Sequence, residues 1–304
     1  MPIVVAACSS RKRVHPVVRA CDVPAGTVDE VGRTWLDMLN AHTNRSAADE
    51  LYCGRSVRAA EKAAGTLGGH LLFASAGLGW IVSHQFIPSY GMTIVDGEDS
   101  VLHRVSGELS AAEWWSWLNQ HSPFATSLAA AVGAEESIIL VALPRAYLAM
   151  VAADLLELPT TVRNRLRIIQ RTGAEIAALL PWTLAYDDRL EGLDGHAGTR
   201  SDFAARAAIH FAEHVWPEFE HRNIKAQNGA VEAALSKCLP RVTSTGARRS
   251  DEQLRAIINH HWDAAGGRTT RLLRLFRDEL GIACEQSRFS RLAKQVRHER
   301  EQAA

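Results

Sequence analysis

Three short stretches combine residue types that handle anions and nucleobases. Cys8-Ser9-Ser10-Arg11-Lys12 places two hydroxyls and two cations directly after the apolar run Ile3–Ala7. Small residues leave backbone N–H groups accessible, so the stretch reads either as a phosphate cradle or as a solvated basic turn. Lys12 would also suit a Schiff-base nucleophile if it were desolvated. In Glu50-Leu51-Tyr52-Cys53-Gly54-Arg55, Tyr52 and Arg55 stand three apart, the spacing of one helix face. There Tyr52 could stack on a planar ligand while Arg55 and Arg58 reach phosphate; the alternative is an amphipathic surface helix. The third stretch is Ser75-Ala76-Gly77-Leu78-Gly79-Trp80, with Tyr90 further on. Gly77 and Gly79 let backbone approach a ligand closely, and the rings of Trp80 and Tyr90 suit an extruded base. The competing reading makes both rings half-buried loop anchors.

Carboxylates that could orient water or steady a developing cation are Asp99, Asp187 and Glu50. The first two have structural alternatives. Asp99 could begin a helix as its N-cap, and Asp187 could cap a helix or pair with Arg189. Arg145 and Tyr147 follow the apolar run Ile138–Leu143. Trp114, Trp115 and Trp117 read as helix packing, and His260 and His261 face different ways on a helix, which argues against a shared metal. The five cysteines are odd in number with no C-x-x-C pair, so reduced thiols in the cytoplasm are expected. A zinc site from Cys8, Cys21, Cys53 and a histidine is the alternative, against which stands the missing ligand spacing. No cofactor is implied.

These residues must be held by scaffold elements. The runs Ile3–Ala7, Leu71–Ser75, Ile138–Leu143 and Leu166–Gln170, with a fifth strand ending at Tyr186-Asp187-Asp188, alternate with segments of helical spacing. The expected fold is α/β, a short four- to five-stranded, mostly parallel sheet with helices on both faces. Ligands then bind beyond the carboxyl ends of the strands, where the chemistry-bearing stretches fall. The expected division is a core over residues 1–225, a linker over 226–246 and a small helical module over 247–304. Ser250 with Gln253 suggests a capping box at the start of that module. Its helices carry Arg271, Arg274, Arg288 and Arg291, which suggests a winged-helix or helix-turn-helix module gripping double-stranded DNA.

Net charge is zero, but from Arg241 onward 13 Arg and Lys face eight Asp and Glu. A basic tail on an acidic body points to nucleic acid. The N-terminus enters the strand-like Pro2–Cys8 with no preceding basic region, so no signal peptide is expected. The apolar run Ser137–Leu156 is interrupted by Pro144, Arg145 and Asp154, so no membrane span is expected.

Cys8–Lys12, Glu50–Arg55, Ser75-Ala76 with Gly79, and Ile87-Pro88-Ser89-Tyr90 with Thr93, in this order, resemble a string of short motifs in one bacterial family. Its members are YaaA-like proteins and proteins of phage-defence islands. The resemblance covers roughly the first 105 residues. Many members carry Asp directly after the tyrosine, where this chain has Gly91. If that Asp is catalytic in relatives, the resemblance implies that another carboxylate takes its duty here, with Asp99 nearest in sequence. The architecture also resembles the uracil-DNA-glycosylase-like superfamily, without the Gly-Gln-Asp-Pro-Tyr stretch after the first strand. It is similar in outline to phage-defence DNA glycosylases that remove glucosylated hydroxymethylcytosine.

The leading expectation is therefore a DNA N-glycosylase acting on a modified base in antiphage defence. Tyr52, Ser75, Gly77, Gly79, Trp80 and Tyr90 would hold the flipped base. Ser9, Ser10, Arg11, Lys12, Arg55 and Arg145, with the tail arginines, would hold phosphates. Two rivals stay open: a non-catalytic DNA-binding regulator with a ligand-sensing body, and a nucleotide or deazaguanine-type enzyme acting on a free base.

Overall fold

A computed structural model describes residues 1–133, 137–220, 222–239, 247 and 249–302. The chain divides into two units, Met1–Arg241 and Val242–Ala304.

The first unit is built on a sheet of β1 (Ile3–Ala7), β2 (His70–Ser75), β3 (Gly79–Val82), β4 (Ile139–Ala142), β5 (Leu166–Ile169) and β6 (Thr183–Leu184). They lie in the order β6-β5-β4-β1-β2-β3. All neighbours are parallel except β3, which folds back antiparallel on β2 with Gly79 opposite Ser75. The sheet is thus α/β and mostly parallel as expected, but six-stranded and mixed. The strand beyond expectation is β3, whose four residues follow directly on a glycine turn and so read as loop.

Central β1 pairs with β2 on one side and β4 on the other, so the chain reverses its direction of travel across the sheet there. That reversal opens a crevice beyond the carboxyl ends of β1 and β4. Successive residues Ile3, Val4, Val5 and Ala6 point to alternate faces, yet all are buried, so both faces are covered.

The longer helices are α1 (Val28–Asn40), α2 (Arg55–Thr66), α3 (Ala111–His121), α4 (Arg145–Glu157), α5 (Phe203–His210) and α6 (Ile224–Leu235). Thr27 with Glu30 and Ser110 with Glu113 close capping boxes that start α1 and α3. Helices α2 and α5 pack on each other and on the sheet, while α3 packs on α1, α4 and β3.

Two local expectations change. The helix read through Tyr52 and Arg55 is broken: a short helix, Ala48–Leu51, ends before Tyr52, Gly54 takes φ +121°, and α2 starts at Arg55. Only glycine adopts such a backbone without strain. Tyr52 and Arg55 therefore share no helix face. Residues 226–235, expected as linker, are instead the body of α6, with Val231 and Leu235 fully buried in the first unit's core. Asn228 lies beside β6, where its Oδ1 accepts from the Ala185 N–H at 2.9 Å and its Nδ2 donates to the Thr183 carbonyl at 3.1 Å. The linker residues 240–246 lie outside the described residues.

The second unit holds α7 (Asp251–His260), α8 (Thr269–Asp278) and α9 (Gln286–Gln302). Ser250 and Gln253 form the expected capping box. Leu254, Ile258, Leu272, Phe276, Phe289 and Val296 make its core. Its one β-bridge among the described residues joins Ala247 to Ile282. No helix among the described residues is long and apolar enough to cross a membrane.

Candidate functional site

A cavity of about 410 Å³ opens at the crevice between β1 and β4. Its walls come from three segments: the loop Cys8–Arg11 after β1, the start of α2 from Cys53 to Val57, and Ser201-Asp202 at the head of α5. Pro144 and Tyr147 close it from the β4 side. The first turn of a twelve-residue helix leaves N–H groups without intrahelical partners, and its dipole favours negative charge. Arg11 and Arg55 add two exposed cations. The loop is held in place by Ser9, whose Oγ donates to the Cys53 carbonyl at 2.6 Å and accepts from the Arg11 N–H at 3.0 Å.

The cavity contains one carboxylate, Asp202, whose side chain is buried. Its Oδ1 accepts from Arg206 Nε at 2.9 Å and from the Thr199 N–H at 2.8 Å, and its Oδ2 lies 3.7 Å from Arg55. Burial opposes ionisation, but the hydrogen bonds from Arg206 and Thr199 outweigh it and hold the Asp202 carboxyl below its ordinary range. Arg206 in turn donates to the carbonyls of His196 and Thr199. A Cβ at Gly198 would stand 2.4 Å from Arg206 Nε, so only glycine lets the loop pass this close.

Behind the cavity lies a buried polar cluster. Tyr147 and Cys8, both on the cavity wall, meet at 3.6 Å. Tyr90 shares hydrogen bonds with Tyr52 at 2.7 Å and with Ser75 at 2.5 Å. Lys12 donates to the Ser9 carbonyl at 2.8 Å and places its ammonium 4.2 Å from the centre of the Tyr90 ring. Burial pulls Lys12 below the ordinary lysine range, against the opposing charges of Cys8, Asp99 and Cys53. Burial likewise pushes the phenols of Tyr52, Tyr90 and Tyr147 well up, so at neutral pH they are protonated donors.

Asp99 borders this cluster. Arg19 holds its Oδ2 at 3.0 Å, and its Oδ1 is buried without a hydrogen-bond partner. A Cβ on Gly91 would stand 3.0 Å from Asp99 Oδ2. The Asp99 carboxylate therefore fills the space into which a side chain at position 91 would grow.

The remaining expected site residues fall elsewhere. Tyr52, Ser75 and Tyr90 are fully buried and offer no ring face or hydroxyl to a base in the open cavity. Trp80 is 1% exposed, meets Trp115 edge-on and donates to Asp154 at 2.6 Å. It is an anchor, as is the whole turn from Ser75 to Gly79. Trp35 donates to the Gly77 carbonyl, Trp114 to the Ala76 carbonyl and Ser122 to the Leu78 carbonyl, satisfying backbone groups that water cannot reach. Gly77 is required by packing, since a Cβ there would come within 2.7 Å of the Tyr90 ring. Gly79 has φ +92° and faces Ala125 and Asn119.

Glu50 is exposed and does not line the cavity. Asp187 caps the turn Asp188–Gly192 and pairs with Arg189, while neighbouring Asp188 pairs with Arg171. Arg145 donates to the Ala174 carbonyl and lines a separate, smaller cavity of about 180 Å³. Ser10, Ser9, Arg11 and Arg55 do meet on one rim, with Lys12 just behind it. In the second unit Arg288 and Arg291 both pair with Asp251, whereas Arg271 and Arg274 lie exposed on α8.

Sequence reasoning missed Asp202 as a functional group. The available signal was the run Gly198-Thr199-Arg200-Ser201-Asp202, a glycine followed by polar residues at a helix start. Cys8, Cys21 and Cys53 are free thiols and form no metal-sized group. Comparison with protein families, with curated proteins and with solved structures finds no match.

Proposed function

We propose that the chain is a hydrolase of N-glycosidic bonds that removes a modified base from a nucleotide unit of DNA. The observation that carries this reading is the juxtaposition in one cavity of an anion-binding rim with a buried, ionised carboxylate. Arg11, Arg55 and the first turn of α2 take a phosphate, and Asp202 faces the sugar. As the bond from C1′ to the base nitrogen breaks, its electron pair leaves with the base and the sugar develops positive charge. Asp202, kept ionised by Arg206, stabilises that charge and orients the attacking water. The protonated phenol of Tyr147 on the cavity wall supplies a hydrogen-bond donor to the departing base.

The exposed arginines of α8 support a second clause, in which a helix-turn-helix-like C-terminal unit holds duplex DNA through backbone phosphates. The setting we infer is cytoplasmic defence against viral genomes carrying modified bases. The free-nucleotide reading is favoured by one observation: the first unit by itself carries both the cationic rim and Asp202.

Incubation with normal and glucosylated phage DNA, followed by alkali, tests the proposal. Strand breaks on modified DNA that disappear in Asp202→Asn are the expected result. Release of free base from nucleotides, with DNA left intact, would transfer the assignment to the free-nucleotide reading. No cleavage of either substrate overturns both.

A further inference from the structure

A second group of ligating side chains lies outside the cavity. One nitrogen each from His196 and His214 and one carboxylate oxygen of Glu213 all fall within 4.8 Å of one another. Two come from neighbouring residues and the third from a distant loop, so this is a convergence made by the fold.

The backbone explains how it arises. Helix α5 continues into Phe211–Val215, a turn of π-helix in which the Trp216 N–H reaches back five residues to the Phe211 carbonyl. Pro217 is the cause. It has no N–H to give to the Glu213 carbonyl four residues earlier, and its ring would strike that carbonyl in a regular α-helix. Widening the turn relieves the clash. Single π turns inside helices recur at functional sites. His210-Phe211-Ala212-Glu213-His214 also has the His-x-x-Glu-His spacing with which some zinc enzymes present ligands from one helix. Here the first histidine is diverted: His210 Nδ1 shares a 2.8 Å hydrogen bond with Tyr186. His196 joins Glu213 and His214 in its stead.

We propose that His196, Glu213 and His214 bind a divalent transition metal ion, with Zn²⁺ the best match. Two imidazoles and one carboxylate are a zinc donor set, leaving a fourth position for water. Tetrahedral ligands at about 2.1 Å from the ion stand roughly 3.4 Å apart, so the group needs only small side-chain rotations to close. Glu213 Oε1 is engaged by Lys62 at 2.6 Å, which fixes the carboxylate and leaves Oε2, 4.0 Å from His214 Nε2, for the metal. His214 is 59% exposed and provides the entry path, while His196 is buried. The bound ion ties the loop at His196 to the π turn. That loop supplies the carbonyls that hold Arg206, so the bound ion braces the Arg206–Asp202 pair.

The test uses the full, untagged chain, dialysed against chelator and titrated with Zn²⁺ by calorimetry and with Co²⁺ by visible absorption. One equivalent of each ion should bind, and Co²⁺ should give the intense bands of a tetrahedral site. His196→Ala, His214→Ala and Glu213→Gln should each weaken binding by at least about tenfold. His260→Ala/His261→Ala, in the second unit, should leave it unchanged. If His196→Ala does not fold, the partly exposed His214 and Glu213 variants decide alone. Absence of stoichiometric binding, or undiminished binding in His214→Ala and Glu213→Gln, overturns the proposal.

Discussion

The rim of the cavity and the glycine turn from Ser75 to Gly79 are written in nearly the same residue types, and they do opposite work. Both follow a buried strand, and both combine small residues with hydroxyls. At the rim, Ser10, Arg11 and Arg55 are exposed and Gly54 breaks a helix so that a new helix start faces solvent. In the turn, every residue is buried and its carbonyls are taken by Trp35, Trp114 and Ser122. What separates them is exposure and the new helix start. The turn is buried with its carbonyls taken, whereas the rim ends in the first turn of α2, whose N–H groups have no intrahelical partners.

The largest expected effect comes from attacking the turn. Trp35→Ala removes a fully buried indole together with the donor to Gly77, and should cost about 3–5 kcal/mol in urea unfolding of the first unit. A loss below about 1 kcal/mol would show that the turn does not depend on its tryptophans. Next comes the border between the regions. Gly91→Asp should destabilise by about 2 kcal/mol, because the new side chain meets Asp99. Adding Asp99→Ala to that variant should recover most of the loss, as both carboxylates claim the same space beside Arg19. Failure of the second change to rescue the first would break the proposed equivalence of the two positions.

Arg55→Ala tests the rim. It should weaken binding of inorganic phosphate or a nucleotide by roughly tenfold, about 1.4 kcal/mol, while shifting stability by less than about 0.5 kcal/mol. An equal loss of stability would make the rim scaffold too. Smallest of all, Glu50→Ala should change neither stability nor ligand binding measurably, since Glu50 is exposed and away from the cavity.

The parallel core was legible in the sequence because strands buried on both faces read as continuous apolar runs: Ile3–Ala7 is observed at the expected bounds, and His70–Ser75 and Leu166–Ile169 within a residue. β3 was not, because a four-residue edge strand beside a glycine carries no period long enough to detect. Of the site, the placing of Ser9–Arg11 beyond the end of β1 was legible from the apolar run before them. The fates of Trp80, Tyr52 and Tyr90 were not. Burial of an aromatic depends on partners such as Asp154 and Trp115 that lie far away in sequence. Asp202 was hidden for the same reason: beside Ser201 at a helix start it looks ordinary, and only the fold carries it to the crevice beside β1.

Asn228 carries a consequence for how the protein behaves in a crowded solution. An open sheet that ends in a short strand leaves a row of hydrogen-bonding groups able to recruit another chain. At β6 a single amide side chain answers both the Ala185 N–H and the Thr183 carbonyl, imitating the neighbour that a further strand would provide. At the opposite margin the Trp80 N–H of β3 donates to Asn119 Oδ1 at 3.3 Å and its carbonyl accepts from the Thr126 N–H at 2.9 Å. The sheet thus stops growing at both ends by different means, and Asn228→Ala should appear first as a tendency to self-associate, seen by light scattering at high protein concentration.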